Sequence, residues 1–263
     1  MGEPAALRAG LRGLGRVVVA FSGGVDSGLL AYVAHEELGE GALAVTAVSP
    51  SLSPSDLAAV SALAQRWGIR WLPVRTDEMD RPEYRANQPD RCFHCKSELM
   101  DKLLPFADAE GAAVVLGVNV DDMSEHRPGQ DAARSRGAVF PLLDAGFTKV
   151  EVRAEARRLG LEIWDRPAAP CLASRVPHGT EVTVGVLTQV AAAEAALREL
   201  GFCDLRVRHY GDLARVELAL EDLPDALRQR AAVVEAVRGA GYRYVTLDLE
   251  GLRSGNLSPP TAG

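Results

Sequence analysis

The stretch RVVVAFSGGVDS, residues 16–27, decides how the rest of the chain is read. Arg16 to Phe21 is a short, continuous apolar run of the kind buried on both faces of a parallel sheet. Asp26 to Leu38 carries helix signals that end at Gly39. Between them lies Ser22-Gly23-Gly24-Val25-Asp26-Ser27. Two consecutive glycines allow a tight turn that brings backbone N–H groups close to a ligand. The helix start behind them adds the positive end of a peptide dipole, which favours a phosphate. Ser22 and Ser27 add hydroxyl donors on either side. Asp26 is a poor neighbour for an anion unless a cation accompanies it, so it reads as a magnesium-linked carboxylate. A capped strand-to-helix turn with no ligand is the plain alternative, and the full string in this setting favours the ligand. No Gly-Lys-Ser/Thr follows, so this is not a Walker loop.

Outward from the turn, the pattern alternates. Strands are expected at Leu43–Val48, Arg70–Val74 and Ala112–Gly117. Helices are expected from Ser53-Pro54 to about Trp67, at Lys96–Ala109 with a possible bend at Pro105, and at Lys149–Leu159. This order implies an α/β fold with a doubly wound parallel sheet and right-handed crossovers. The polar stretch from Asn119 to Pro141 reads as a functional loop region with a short helix. After the Pro-rich connector Arg166–Cys171 the pattern changes. A helix at Val184–Leu200 leads to two alternating runs, Leu205–His209 and Ala214–Leu218, around a Tyr210-Gly211-Asp212 hairpin signal. A helix at Leu223–Gly239 and a strand at Tyr242–Leu247 complete a smaller C-terminal α+β domain. The boundaries drawn are 1–177, 178–253 and a disordered tail at 254–263.

Composition sets limits. The chain has 263 residues, 47% apolar, 25% charged and only 5% aromatic, so Leu, Val and Ala fill the core. The net charge of −7 argues against a grip on long nucleic acid. No signal peptide and no bilayer-length apolar run is apparent, so a cytoplasmic protein without a membrane partner is expected. In that compartment Cys92, Cys95, Cys171 and Cys203 are unlikely disulfide formers, and metal ligation or sulfur chemistry is the better reading for any that cluster. Cys92-Phe93-His94-Cys95 is a C-x-x-C on a loop opening a helix: half a zinc site, a redox pair or one arm of an iron–sulfur site. Cys171, between Pro170 and Arg175, has an exposed, electropositive setting that favours a thiolate. Three cysteines suit a cluster with one open iron position; His94 or His178 would be needed to close a zinc tetrahedron. Cys203, at a helix-to-strand turn, reads as structural.

Ser22–Ser27 resembles the PP-loop of the ATP pyrophosphatase superfamily, with its adenine nucleotide alpha hydrolase-like fold, whose members cleave ATP to AMP and pyrophosphate while adenylating a substrate. The resemblance implies that Ser22, Gly23, Gly24, Asp26 and Ser27 hold the pyrophosphate end. Ala47–Ser49, including Val48, and Gly117–Asn119 end the second and fourth strands and are expected to face AMP. Further strings narrow the resemblance: RCFHCK (91–96), GVNVDD (117–122), RSRG (134–137), PCLASR (170–175) and LRVRH (205–209). Over nearly its whole length the chain is similar to the LarE family of ATP-dependent sulfur transferases, which help build the nickel-pincer nucleotide cofactor.

That likeness implies ATP, Mg2+ and a carboxylated pyridinium mononucleotide as substrate, with Asp26 and Cys171 in the chemistry. In the best-known branch the cysteine matching Cys171 gives up its own sulfur and becomes dehydroalanine, and the C-x-x-C pair is lacking. This chain resembles instead the three-cysteine branch, which implies Cys92, Cys95 and Cys171 as ligands of a [4Fe–4S] cluster, fed by sulfide or another sulfur donor.

Arg206 and Arg208 lie two apart on a strand and so share a face. Solvated surface arginines are the plain reading of that spacing. The matching arginines of the family line a phosphate site, with Arg175 as a helper. Asp121 and Asp122 read equally as metal or substrate ligands and as a helix cap. The smaller domain is expected to bind substrate or to join copies into a homo-oligomer. Rival readings are a tRNA-thiolating enzyme, an amidating ligase of the NAD or GMP synthetase type, and a nucleotide sensor or metal-delivery protein without catalysis.

Overall fold

The computed structural model describes residues 2–123, 128–167 and 170–253. The expected tail, 254–263, lies outside them. The chain forms two compact units. The described residues of Met1–Arg81 and Asp90–Ala169 make the first, and those of Pro82–Pro89 and Pro170–Gly263 the second. The connector 170–177, grouped with the first domain on sequence pattern, packs in the second unit.

In chain order the elements are α1 (Pro4–Leu14), β1 (Val17–Ala20), α2 (Val25–Leu38), β2 (Ala42–Val48), α3 (Pro54–Arg66) and β3 (Trp71–Arg75). The short α4 (Pro82–Arg85) belongs to the second unit. The first unit resumes with α5 (Arg91–Glu110), β4 (Ala113–Leu116), α6 (Pro128–Arg134), α7 (Pro141–Asp144) and α8 (Lys149–Arg158). Its sheet runs β3-β2-β1-β4, all parallel, with Val17 opposite both Ala42 and Ala113. Val139 adds a single parallel bridge to Val115. Pro73 is tolerated because β3 lies at a sheet edge, where a missing N–H leaves no ladder bond unmade.

Alternation along β1 sorts the core into two layers. Val17, Val19 and Phe21 pack with Leu7 and Leu11 of α1, Leu29 of α2, Leu63 of α3 and Val152 of α8. Val18 turns the other way, with Val45, Val114 and Leu116, against Leu99, Met100 and Leu103 of α5. Helices therefore cover both faces, as a doubly wound sheet requires. Fully burying a Leu-sized side chain contributes about 1.5–3 kcal/mol.

The second unit continues with α9 (Val184–Glu199), β5 (Leu205–Tyr210), β6 (Leu213–Leu218), α10 (Leu223–Arg228), α11 (Arg230–Gly239) and β7 (Tyr244–Leu247). β5 and β6 form an antiparallel hairpin, and β7 pairs parallel to β6. Val207, Val216 and Leu218 pack against Leu197 and Val237 in its core.

Four elements differ from the sequence expectation. α1 was not foreseen; it starts at Pro4, which suits a first helical turn, and buries Leu7 and Leu11 one turn apart. α5 starts at Arg91, so Cys92 and Cys95 sit in its first turn rather than on a preceding loop. The helix expected over 223–239 breaks at Gln229 (φ −95°, ψ 18°). The last strand starts at Tyr244, and the Tyr242 ring goes into the core instead. No described helix is long and apolar enough to cross a membrane.

Candidate active site

β1 has β2 on one side and β4 on the other, so the crossovers leave β1 toward opposite edges of the sheet. At such a switch point a crevice opens beyond the carboxyl ends of the strands. Ser22–Ser27 follows β1 into this crevice and Gly117–Asn119 follows β4. Gly23 takes φ +76°, a left-handed conformation, and a Cβ there would stand 2.5 Å from Val60 Cγ2. Gly117 approaches the loop so closely that a Cβ would lie 2.7 Å from the Ser27 nitrogen. Gly24 caps α2, and no described side chain bonds the N–H groups of its first turn at this cap. Those groups are the anion-binding feature of a helix start. The loop is braced from within: Ser27 Oγ donates to the Gly24 carbonyl at 3.2 Å, accepts from the Ser22 N–H at 3.2 Å and meets Ser22 Oγ at 3.0 Å.

Asp26 projects from this loop into a set of polar partners. Asn119 Nδ2 donates to its Oδ1 at 3.0 Å, and the Lys149 ammonium pairs with its Oδ2. Asn119 Oδ1 accepts from the N–H groups of Asp121 and Asp122 at 2.9 and 3.3 Å. Asp122 Oδ2 accepts from the Asn119 N–H at 3.1 Å, and Asp121 Oδ2 accepts from the Lys149 N–H at 2.6 Å. The two aspartates thus brace the turn after β4 against the start of α8. On the other side, Arg166 Nη1 donates to the Gly23 carbonyl at 3.2 Å. Arg153 donates to the carbonyls of Trp164 and Arg166 at 2.8 and 2.9 Å, which holds that segment in place.

Lys149, Arg153 and Arg166 escaped the sequence reading. One signal for Lys149 was available. It follows the cap Thr148 directly, at the positive end of a helix, where a cation is disfavoured unless a carboxylate answers it. Nothing local marks Arg166.

Val48, expected to face AMP, ends β2 half-buried. The next residue, Ser49, donates through its hydroxyl to the buried carboxylate of Glu78.

The second unit holds the arginines. Arg208 is buried and pairs with the fully buried Glu217 at 2.9 Å, and its Nη1 donates to the Ser174 carbonyl at 2.8 Å. Arg175 is also buried. It donates to Glu194 at 2.8 and 3.2 Å, to the Pro170 carbonyl at 2.6 Å, to the Cys171 carbonyl at 3.3 Å and to Ser174 Oγ at 3.0 Å. These two arginines are committed to carboxylates and to the backbone that carries Cys171. Arg206 differs. Burial, then the charges of Arg208 and Arg175, push its pKa down, and no ion pair to it occurs among the described residues. A half-buried cation in that position favours an incoming anion.

None of the four cysteines forms a disulfide. Cys92 and Cys95 are three apart in the first turn of α5 and so share a face, with Cys92 exposed. Cys171 is exposed in the second unit. Cys203, read as structural, is exposed as well. His94 meets Asp90 at 3.2 Å, and His178 Nδ1 lies 3.3 Å from the Asn87 carbonyl, within the second unit. Among the described residues no three Cys, His, Asp or Glu side chains stand together as a metal-holding group.

A glycine-rich turn feeding a helix, at the switch point of a parallel sheet and armed with serines and an aspartate, defines a PP-loop nucleotide-binding enzyme. No protein-family model matches the chain. It is 48% identical over 248 residues to an uncharacterized protein of Synechocystis, covering 93% of this chain and 92% of that one. It is 38% identical over 258 residues to the pyridinium-3,5-bisthiocarboxylic acid mononucleotide synthase of Lactiplantibacillus plantarum, covering 97% of this chain and 94% of that one. A tRNA-specific 2-thiouridylase of Rickettsia typhi is 26% identical over 207 residues, 64% of this chain and 57% of its own. The chain belongs to the LarE family of ATP-dependent sulfur transferases.

Proposed function

We propose that this enzyme activates a carboxylate of a pyridinium mononucleotide with ATP and replaces a carboxyl oxygen by sulfur, as a step toward a nickel-pincer nucleotide. The observation that carries the reading is the Gly23-Gly24 turn at the β1/β4 switch, with α2 open at its start, in a chain 38% identical over 97% of its length to a bisthiocarboxylic acid mononucleotide synthase. ATP lies with its β and γ phosphates on Ser22–Ser27. A substrate carboxylate attacks the α-phosphorus, an acyl adenylate forms and pyrophosphate leaves. A sulfur nucleophile then adds to the acyl carbon, and AMP departs with the former carboxyl oxygen, leaving a thiocarboxylate. The loop acts by holding and neutralising the phosphates rather than by covalent chemistry. Arg206 takes the phosphate of the mononucleotide, supported by its half-buried guanidinium, which forms no ion pair among the described residues.

Two inorganic groups belong to this reading. Asp26 offers a hard oxygen at the phosphate end, which suits Mg2+. Cys92 and Cys95, thiols one turn apart at a helix start, suit a [4Fe–4S] cluster, with Cys171 as the third ligand by family likeness. The chemistry such a cluster supplies when bound is an iron position able to carry sulfide. Arg175, bonded to the carbonyls of Pro170 and Cys171, holds the backbone that carries that thiol.

The test is anaerobic turnover of ATP, Mg2+, sulfide and the dicarboxylated pyridinium mononucleotide. One AMP and one pyrophosphate are expected per thiocarboxylate, seen by mass spectrometry. ATP cleavage without sulfur in the product sinks the sulfur-transfer reading. Iron and acid-labile sulfide are expected in anaerobically purified protein; stoichiometric zinc without iron sinks the cluster. The likeness to a thiouridylase favours a second reading, tRNA thiolation, which the net charge of −7 opposes. tRNA-dependent release of pyrophosphate would establish it.

A further inference from the structure

We infer that Lys149 binds the ATP phosphates directly, and that its ion pair with Asp26 is exchanged when the nucleotide enters: the ammonium passes to phosphate oxygens and the Asp26 carboxylate turns to the cation that accompanies them. The inference rests on the reading of Ser22–Ser27 as the triphosphate site.

Three observations carry it. The first is placement against local preference. Lys149 is the first residue of α8, where the helix dipole disfavours a cation by about 0.3–1 kcal/mol. The second is how firmly that start is held. Thr148 and Glu151 form a reciprocal capping box, and the Lys149 N–H donates to Asp121 at 2.6 Å, which ties α8 to the turn after β4. The stem is therefore anchored beside the loop, while the side chain is 37% exposed and has solvent space beside its ion pair with Asp26. The third is the charge inventory. A bare Asp26 carboxylate would repel a phosphate on the same loop. Lys149 cancels that charge now, and a divalent cation cancels it when ATP binds, which releases the ammonium to the anion next to it. Arg166, the other cation at the loop, is less able to move, since it holds the Gly23 carbonyl at 3.2 Å and lies 3.9 Å from Asp56. A lysine is a flexible point charge and suits the exchange.

The test is calorimetric binding of pyrophosphate and ATP, each with Mg2+ and with EDTA, to wild type, Lys149→Met, Lys149→Arg and Asp26→Asn, with thermal unfolding as a check on each variant. Losing a charge-assisted bond weakens binding about tenfold or more. Lys149→Met is expected to show that loss at an unchanged unfolding midpoint, and Lys149→Arg to recover most of it. Asp26→Asn is expected to bind pyrophosphate more tightly than wild type in EDTA and to lose the gain from Mg2+. Wild-type affinity in Lys149→Met, or no recovery in Lys149→Arg, overturns the assignment. Should Lys149→Met fail to fold, Asp26→Asn decides alone, and unchanged binding in EDTA overturns the exchange. Wild type that binds neither ligand overturns the phosphate-site reading itself, a separate outcome.

Discussion

Gly117 shows how much of the nucleotide loop depends on one missing side chain. A Cβ there would meet the Ser27 nitrogen at 2.7 Å and the Asp26 carbonyl carbon at 2.8 Å, both backbone atoms that cannot step aside. Gly117→Ala is expected to destabilise the protein by about 1–3 kcal/mol, read from urea unfolding, and to weaken ATP binding. The arginines make the opposite lesson. On sequence, Arg206 and Arg208 were a pair sharing one face. In the fold, Arg208 answers Glu217 while Arg206 has no such partner among the described residues. Arg206→Ala is expected to raise the KM for the mononucleotide with little change in the unfolding midpoint. Arg208→Ala takes one ion-pair partner from the fully buried Glu217 and is expected to cost about 3–5 kcal/mol of stability. Equal effects of the two substitutions on stability contradict that division of labour. The spacing of two arginines could not show it, because Glu217 lies opposite Arg206 in the β5–β6 register yet pairs with Arg208.

At the scale of elements, α8 is the arm that brings Lys149 to the loop, and its start is set by local chemistry. Thr148 donates to Glu151 through its backbone N–H at 2.9 Å and its hydroxyl at 2.8 Å, and these bonds hold the Glu151 carboxyl down at about 2, against an ordinary 4.5. Between those values the unfolded chain binds the proton and the folded one does not, so stability falls as the pH drops through this window. Glu110, held down at about 2 by Arg70 and Arg16, adds to the same acid sensitivity. Urea midpoints measured from pH 5 toward pH 2 should fall less steeply in Glu151→Gln than in wild type. A parallel pair of curves speaks against the capping box as the cause. Thr148→Ala removes the same cap and is expected to cost about 1 kcal/mol. This box was readable as Thr-x-x-Glu, whereas the break at Gln229 was not, since a run of apolar and helix-forming residues crosses it on both sides.

At the scale of the molecule, the chain crosses between its two units more often than composition suggests, because Pro82–Pro89 joins the second. Asn87 anchors that excursion. It is fully buried with φ +54°, and its amide donates to the carbonyls of Val176, Pro177 and Thr180 at 3.2, 2.8 and 2.9 Å. Asn87→Ala strips these acceptors at once and is expected to cost about 2 kcal/mol or more, with hydrogen exchange rising in 176–182. Unchanged protection there contradicts the anchoring role. The alternating strands and helices, the doubly wound sheet and the Gly-Gly turn between β1 and α2 were legible in the sequence. Each rests on local rules, since side-chain periodicity, capping and the freedom of glycine act within a few residues. The sequence also carried the family likeness, through strings such as PCLASR and LRVRH. What only the tertiary structure decided is which charges answer which. Lys149 reaches Asp26 from 123 positions away, Arg166 reaches Gly23 from 143, and Glu194 takes Arg175 from 19. An ion pair depends on distance in space and on burial, neither of which a linear pattern of charges encodes.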